Sequence, residues 1–405
     1  MEKKQQQYAW LGVGAVVLVM VIWLFSSKMP SDTPASGNSP VPTPNVPRPV
    51  ATNLVGEIVV GAILPATGDQ AVLGKTLQNA IDLATEDINA ERGVVGKKLV
   101  FVRKDEECGG DQAQSLITAF QVQAIIGVVG GTCSSEKIGF VSAINDNNVI
   151  ALAATGVADE TANASGHLFR FVPPYAAEGT AAATYASGAL RAKRATVLFG
   201  NTAQGKELAA AFSAGFKKNG GTVVSEVGVG LDENDVIGSI VPEIDVDVLY
   251  VVPASVSQMT RFLKAIKAQQ SSALIVTTDL ALAPTIGQTE KVLLEGVNGI
   301  APLYDLQSER VQQFMRLYKA RYGEEPAYPL YAANAYSQTY LLRDLIEKDG
   351  YDGAKMQKTL QAPLTGWSGG AFGKVDLDKT GDTLLRTFTA WKVEGGVLVS
   401  KGTIQ

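Results

Sequence analysis

The first third of the sequence after residue 56 alternates between short apolar runs and stretches with one apolar face. Glu57–Leu64 (EIVVGAIL) is nearly continuous in apolar residues, as in a strand buried on both faces. In Lys75–Ala90 the apolar residues recur at the spacing of a helix. The pattern predicts further strands at Leu99–Lys104, Ala124–Val129 and Val149–Ala151, and helices at Asp111–Gln121 and Glu136–Asn147. Alternating strands and helices predict a parallel sheet with helices on both faces.

A second set of strands and helices follows Phe169–Gly179, where two prolines interrupt the pattern. Strands are predicted at Ala195–Phe199, Thr222–Val227, Val246–Val252, Leu274–Thr277 and Val297–Ala301, and helices at Gly205–Asn219 and Ser255–Gln269. The chain then continues with helices at Ser308–Tyr322, Tyr331–Lys348 and Gly353–Gln361, and strands at Thr387–Val393 and Val397–Lys401. Two successive sets predict two similar doubly wound α/β lobes, and the mixed tail suggests that the chain crosses back between them.

The N-terminus is predicted to be a membrane segment, residues 1–27. Two lysines precede an uncharged apolar run, Ala9–Phe25, which has a tryptophan near each end. The lysines favour a cytoplasmic N-terminus, so the remainder is expected outside the cytoplasm. A cleaved signal peptide is the alternative, although no convincing cleavage site follows Phe25.

Residues 28–56 are predicted to be a disordered linker. They are rich in proline and serine and nearly free of bulky apolar residues, so they cannot bury a core. The ligand-binding part is therefore expected to comprise residues 57–405.

Charge and composition exclude some classes of protein. The chain has 405 residues and a formal net charge of −5. No cluster of lysine or arginine follows the extreme N-terminus, which argues against a nucleic-acid partner. No histidine or cysteine pattern with the spacing of a metal site is present, so no metal or cofactor is expected.

Both cysteines follow predicted strands. Cys108 comes after Leu99–Lys104 and Cys133 after Ala124–Val129. Because the carboxyl ends of parallel strands meet at one edge, the two thiols are expected to form a disulfide, which implies an oxidising compartment. Two buried free thiols are the alternative. Ser134 and Ser135 follow at the same edge, where open α/β sheets bind ligands.

Two stretches imitate catalytic motifs. Gly68–Thr76 (GDQAVLGKT) has one residue too many between its glycines for a phosphate-binding P-loop. Gly366–Gly370 (GWSGG) matches a nucleophile elbow, but the segment after it is rich in turn residues and does not predict the required helix. The only histidine, His167, is expected on a surface turn, and Glu106 is expected in solvent. The absence of a catalytic set indicates binding without turnover.

Several pieces of the chain, in order, resemble a known family. They are GAILPATGDQAVLGKTLQNAIDLATEDINAERGVVGKKL, KDEECGGDQA, GTCSSEK, ALAATGVADE, FRFVPP and GWSGGAFGKVDLDKTGD. The chain from Gly56 to Lys392 resembles the branched-chain amino acid (leucine/isoleucine/valine) binding proteins of ABC importers, which have the type I periplasmic binding fold. The resemblance implies two hinged lobes joined by three crossovers, near Pro173, Pro302 and Arg386. The lobes are then 57–173 with 303–386, and 174–302 with 387–405.

The resemblance also implies how an amino acid is held in the first lobe. Ser134 and Ser135 match the serines of which one receives the ligand carboxylate. Ala153, Ala154 and Thr155 match the stretch whose backbone and hydroxyl hold the carboxylate and ammonium groups. Hydroxyl and N–H donors suit a desolvated carboxylate. Helix capping by the serines and a turn role for Thr155 are the alternatives.

Asp279 matches the acidic residue that pairs with the ligand ammonium from the second lobe. A free amino acid would then bridge the lobes and favour closure. A solvated loop acid or a helix cap is the alternative for Asp279.

The positions around the ligand side chain depart from the family pattern. Leu73, Gln204 and Ser255 stand where tyrosines are common, Tyr331 keeps an aromatic ring, and Tyr175 and Trp367 are expected to face the cleft. A polar Gln204 would suit a more polar amino acid or an amide-like solute.

The sequence thus predicts a membrane-tethered, non-enzymatic receptor. It is expected to capture an amino acid and deliver it to the permease and ATPase of an ABC importer. A sensory ectodomain that signals through a partner is the alternative, and an exported enzyme is a poorer one.

Overall fold

The computed structural model describes residues 55–106, 113–121, 123–132, 138–156, 166–230, 245–279, 291–303, 308–362, 364–372 and 374–404. The predicted membrane segment, nearly all of the linker, both cysteines, Ser134 and Ser135 lie outside these residues. No helix among the described residues is both long enough and apolar enough to cross a bilayer.

The first described sheet is parallel throughout and has the order β2-β1-β3-β4-β5. Its strands are β1 (Glu57–Leu64), β2 (Lys98–Asp105), β3 (Gly127–Gly130), β4 (Ile150–Ala153) and β5 (Leu168–Arg170). The helices between them are α1 (Ala71–Glu91), α2 (Ala113–Gln121) and α3 (Ile138–Asp146). Val60, Ala62 and Leu64 pack in the core that contains α1, whereas Ile63 packs in the core of α2 and α3. Burial on both faces explains the nearly continuous apolar run of β1.

The second sheet begins with five parallel strands in the order β10-β9-β8-β6-β7. They are β6 (Arg194–Gly200), β7 (Thr222–Val229), β8 (Val248–Val252), β9 (Leu274–Thr277) and β10 (Asn298–Pro302). The helices are α4 (Tyr175–Gly188), α5 (Ala203–Lys218), α6 (Val256–Ala268) and α7 (Lys291–Leu294). Tyr250 belongs to the core shared with α4 and α5, and Leu249 and Val251 to the core shared with α6.

The rest of the chain contributes to both sheets. It contains α8 (Glu309–Tyr322), α9 (Pro329–Asp349), α10 (Gly353–Gln361) and the antiparallel pair β11 (Leu364–Trp367) and β12 (Val375–Leu377), followed by β13 (Phe388–Glu394) and β14 (Val397–Ile404). The three helices and β12 pack in the core that contains α1. The last two strands extend the second sheet in antiparallel fashion beside β10. The chain therefore changes sheet after β5, after β10 and after β12.

Buried contacts hold two of these crossing segments together. The Arg170 guanidinium donates to both carboxylate oxygens of Asp382, at 2.6 and 2.9 Å, and these side chains are 1% and 13% exposed. The backbone N–H of Arg170 donates to Gly381, and that of Thr383 donates to Arg170. The exact lobe boundaries near Pro173, Pro302 and Arg386 stay predictions.

Three expectations from the sequence are wrong in detail, and three short strands were not expected. His167 is 6% exposed, and its Nδ1 lies 3.0 Å from Asn145 Oδ1, so it is not on a surface turn. Glu106 is buried rather than solvated. The strand expected from Ala124 begins at Gly127, because Ala124 has a left-handed φ of 53° in the turn after α2. The short strands β5, β11 and β12 were not predicted.

Candidate functional site

A glycine turn ends β3 at the carboxyl edge of the first sheet. Gly130 has a φ of 110°, and a Cβ there would lie 2.1 Å from the carbonyl oxygen of Ile63. Only glycine fits this close approach of two backbones. Residues 133–137 follow and lie outside the described residues. The roles of Cys133, Ser134 and Ser135 therefore stay predictions.

Two amide side chains of α9 hold the end of β4. Asn334 donates to the carbonyl oxygen of Ala154 at 2.6 Å, and Gln338 donates to that of Ala153 at 2.7 Å. Both amides are fully buried, and they lie four residues apart on one face of the helix. Each amide gives a hydrogen bond to a buried carbonyl oxygen, which would destabilise the fold if it had no donor. The peptides before Thr155 are thereby fixed in orientation.

Thr155 and Gly156 follow β4, and a hydrogen bond to Gly156 joins this strand end to α4. Thr155 is buried, and its hydroxyl lies 3.4 Å from the carbonyl oxygen of Gly156, a long hydrogen bond. The phenol of Tyr175, the first residue of α4, donates to the same carbonyl at 2.7 Å. A Cβ on Gly156 would lie 2.3 Å from the Tyr175 ring. Position 156 therefore requires glycine for this ring to approach.

Asp279 follows β9 in the second lobe and meets a tyrosine of α9. The phenol of Tyr331 donates to Asp279 Oδ2 at 2.6 Å, and both side chains are less than a tenth exposed. Burial, followed by the charge of Asp279, raises the pKa of Tyr331 well above its usual value. The same two causes raise the pKa of Tyr328, next to α9, to about 12. Both phenols thus remain protonated and can donate.

A second carboxyl, which the sequence analysis missed, lies beside Asp279. Glu178 in α4 is 6% exposed, and the backbone N–H of Asp279 donates to it. Burial and the charge of Asp279 raise the pKa of Glu178 well above its usual value. Tyr250 of β8 is also close: burial, then the charges of Glu178 and Asp279, raise its pKa. We call Glu178, Tyr250, Asp279, Tyr328 and Tyr331 the acid–tyrosine cluster.

The lobes also touch at a second point. The side chain of Gln70, just before α1, donates to the carbonyl oxygen of Ala254 at 2.8 Å. Leu73 lies three residues along in α1 and is buried in the first-lobe core. Ser255 follows Ala254 and caps α6, its hydroxyl accepting from the N–H of Gln258 at 3.2 Å.

The structure thus brings some predicted site residues together and leaves others apart. Tyr175 binds the carbonyl of Gly156, next to Thr155, and Tyr331 binds Asp279. The charge of Tyr175 also contributes to the raised pKa of Tyr331. Leu73 and Ser255 adjoin the second contact. Gln204 is half-buried in the first turn of α5, and no hydrogen bond among the described residues connects it to the cluster.

Other chemistry finds little support in this part of the chain. No group of three histidine, cysteine, aspartate or glutamate side chains suited to a metal occurs among the described residues. Gly366–Gly370 begins in β11, which pairs with β12 instead of leading into a helix, so it lacks the geometry of a nucleophile elbow. Gly68–Gln70 forms a 3-10 turn before α1.

Comparison with known proteins decides the family. The sequence profile described as "Periplasmic binding protein" matches residues 57–397. The chain belongs to the periplasmic binding protein family. The resemblance seen in the sequence is confirmed, as is the type I periplasmic binding fold with parallel-sheet lobes. Members of this family are substrate-binding proteins rather than enzymes, and membership implies an extracytoplasmic location.

Individual relatives of this periplasmic binding protein are distant. An amino acid binding protein of Pseudomonas aeruginosa is 29% identical over 188 residues, which are 46% of this chain and 50% of the relative. The chain spans about half the length of the curated relatives it matches.

Solved structures resemble this periplasmic binding protein over most of its length. One is a branched-chain amino acid transporter substrate-binding protein from Streptococcus pneumoniae in complex with isoleucine, with a TM-score of 0.75, 20% identity, and coverage of 86% of this chain and 99% of that one. Another is an ABC transporter solute-binding protein from R. palustris in complex with benzoate, with a TM-score of 0.72, 19% identity, and coverage of 86% and 96%. At these identities the likeness shows the fold alone.

Proposed function

We propose that this binding protein captures a single amino acid between its lobes and delivers it to an ABC importer. The observation that carries the proposal is Asp279, a buried acid that lies at a contact between the lobes and accepts from Tyr331 at 2.6 Å. A carboxylate attracts a cation more strongly where water is excluded, so this buried position favours a ligand with an ammonium group.

The rest of the zwitterion is proposed to lie toward the first lobe. Its carboxylate would accept from the hydroxyl of Thr155, which is only weakly engaged by Gly156, and from Ser134 and Ser135. The carbonyls of Ala153 and Ala154 each accept one hydrogen bond from α9, which fixes these peptides. Each oxygen keeps a second lone pair for the ligand ammonium. Charge-assisted hydrogen bonds of this kind are stronger than neutral ones.

The ligand side chain is proposed to lie near the second contact between the lobes, between Leu73 and Ser255, with Tyr175 and Gln204 around it. The hydrogen bond from Gln70 to Ala254 supports this, because it draws these two segments together. An aliphatic side chain would pack on Leu73. A polar one would suit Gln204 and Ser255.

A benzoate-like solute is the second candidate, since one structural relative binds benzoate. Asp279 and Glu178 argue against it here. A benzoate has no cation, and its carboxylate would repel the acid–tyrosine cluster.

Delivery to the importer is proposed to occur at the membrane surface. Residues 1–27 would anchor the chain and residues 28–56 would tether the binding domain. A disulfide between Cys108 and Cys133 would fix the loop that carries Ser134 and Ser135. Affinity capture from membranes tests the partner: recovery of permease and ATPase subunits supports an importer, and recovery of a kinase supports the sensory alternative.

Calorimetric titration of the full-length chain with the common amino acids and benzoate tests the ligand class. We expect at least one amino acid to bind and benzoate not to bind. Asp279→Asn should weaken that binding at least tenfold, which corresponds to about 1.4 kcal/mol, while Asp245→Asn, at an exposed acid, should not. Binding of benzoate alone, or an unchanged affinity in Asp279→Asn, would refute the proposal.

A further inference from the structure

Glu178 is an unusual residue for its place in the fold. It is the only charged residue of α4 (YAAEGTAAATYASG), and it is 6% exposed in a helix that otherwise packs through alanine and tyrosine. Its Oε1 is buried without a hydrogen-bond partner among the described residues. A buried ionised carboxylate in this situation would be costly, whereas a protonated one would not.

Among the described residues, the groups that interact with Glu178 do not supply a counter-charge. The charge of Glu178 raises the pKa of Tyr250 in β8, and the backbone N–H of Asp279, two residues after β9, donates to Glu178. The phenol of Tyr331 donates to Asp279, and the charges of Asp279 and Glu178 both raise its pKa. The charge of Asp279 also raises the pKa of Tyr328. Each of these groups is neutral or acidic.

The two carboxyls are held unequally. Asp279 receives a hydrogen bond from Tyr331 at 2.6 Å, which stabilises its charge. Two neighbouring buried carboxyls cannot both ionise readily, so the one with weaker support keeps its proton. That one is Glu178, in agreement with the raised pKa that burial and Asp279 give it.

We propose that Glu178 stays protonated at neutral pH beside Asp279, so that the pair presents one negative charge, matched to the single ammonium group of a monoamino ligand. Glu178 acts through Asp279 as a positioning residue: it accepts the backbone N–H of Asp279 without adding a second charge. The ligand part of this inference rests on the proposed function. The protonation part does not.

The proposal fixes the sign of a pH effect on stability. The pKa of Glu178 is raised in the folded state, so the folded state holds this proton more tightly than the unfolded chain does. Its contribution to stability is complete below the unfolded pKa, about 4.3, and is lost as the pH rises toward the folded pKa. Between the two values the folding equilibrium constant falls about tenfold per pH unit for one proton.

Urea unfolding of the full-length chain without ligand, from pH 5 to pH 8, tests the proton. Relative to Glu178→Gln, the wild type should lose about tenfold in its folding constant per pH unit above pH 5. The control variant Glu226→Gln changes an exposed carboxyl, and the pH profile of its folding constant should be parallel to that of the wild type. Parallel profiles for wild type and Glu178→Gln would overturn the proposal. If Glu178→Gln does not fold, carboxyl-carbon NMR of the wild type decides instead: a glutamate that titrates above pH 7 supports the proposal, and none overturns it.

Titration with the amino acid that binds, L-leucine first, tests the charge match. In two buffers of different ionisation enthalpy at pH 7, the wild type should show the same binding enthalpy, because Glu178 keeps its proton. A difference that reports the release of one proton would overturn the single-charge pair. If no amino acid binds, the proposed function fails, while the unfolding profiles still decide the protonation of Glu178.

Discussion

Replacing Tyr331 by phenylalanine removes one atom from the contact between the lobes. The lost phenol oxygen lies 2.6 Å from Asp279 Oδ2, and both side chains are less than a tenth exposed. The ring of Tyr331 remains in the first-lobe core, so no cavity of consequence forms. The variant therefore isolates one hydrogen bond between α9 and the segment after β9.

The size of the effect follows from the charge of the acceptor. A hydrogen bond to a charged group contributes about 1.5–3 kcal/mol. Because its donor and acceptor come from different lobes, we expect this bond to stabilise the closed form relative to the open one. At about 1.4 kcal/mol per factor of ten, the equilibrium constant for closure of the lobes falls by a factor of roughly 10 to 150. The apparent affinity for the ligand should fall by a similar factor, since the competent state becomes rarer.

Calorimetry of ligand binding and small-angle scattering of the ligand-free chain measure the two consequences of Tyr331→Phe. Tyr318→Phe is the matched control, because the Tyr318 oxygen accepts from Asn79 at 3.0 Å within the first lobe. The control should lower the melting temperature and leave affinity unchanged. Wild-type affinity in Tyr331→Phe, or an equal loss in the control, would refute the reasoning.

Three further predictions concern the frame of the site. Asp382→Asn should lower the free energy of unfolding, measured in urea, by about 3–5 kcal/mol. The reason is that it leaves the charge of a buried guanidinium that cannot lose its proton. Arg170→Met should cost less, because the remaining carboxylate is 13% exposed and can hydrate, and equal costs would contradict this account. Asn334→Ala should lower the free energy of unfolding by about 1–3 kcal/mol, because the carbonyl of Ala154 loses its donor. It should also weaken ligand binding, and a loss of stability alone would show that the amide does not orient the site. Gly156→Ala should displace the Tyr175 ring and cost about 1–3 kcal/mol, and a crystal structure with the ring unmoved would contradict it.

The sequence predicted the architecture well wherever the periodic pattern was long. Helix α10 was predicted with the same bounds, and the start of α8 was indicated by Ser308, whose side chain accepts from the N–H of Val311. The three-residue strand β5 and the β11–β12 pair were missed, because three or four residues are too few to show a period. The pattern of apolar residues also does not reveal positions with a left-handed backbone conformation, such as Ala124.

The contacts of the candidate site were less predictable. The resemblance pointed to Asp279 and Tyr331, but their hydrogen bond joins residues 52 positions apart, and no local pattern encodes it. Asn334 was missed because a polar residue in a predicted helix is usually assigned to the solvent face, although its alanine-rich surroundings were a signal. Glu178 was missed because no helix was predicted over Tyr175–Gly188, the segment that forms α4. The isolation of Glu178 as the only charge in this alanine-rich segment was the corresponding clue.

A crystal structure of the chain with its amino acid bound tests the central claim most directly. The account predicts the ligand between the lobes, with its ammonium nitrogen within hydrogen-bond distance of the Asp279 carboxylate and its carboxylate beside Thr155. A ligand bound elsewhere, or turned so that its ammonium group avoids Asp279, would contradict it.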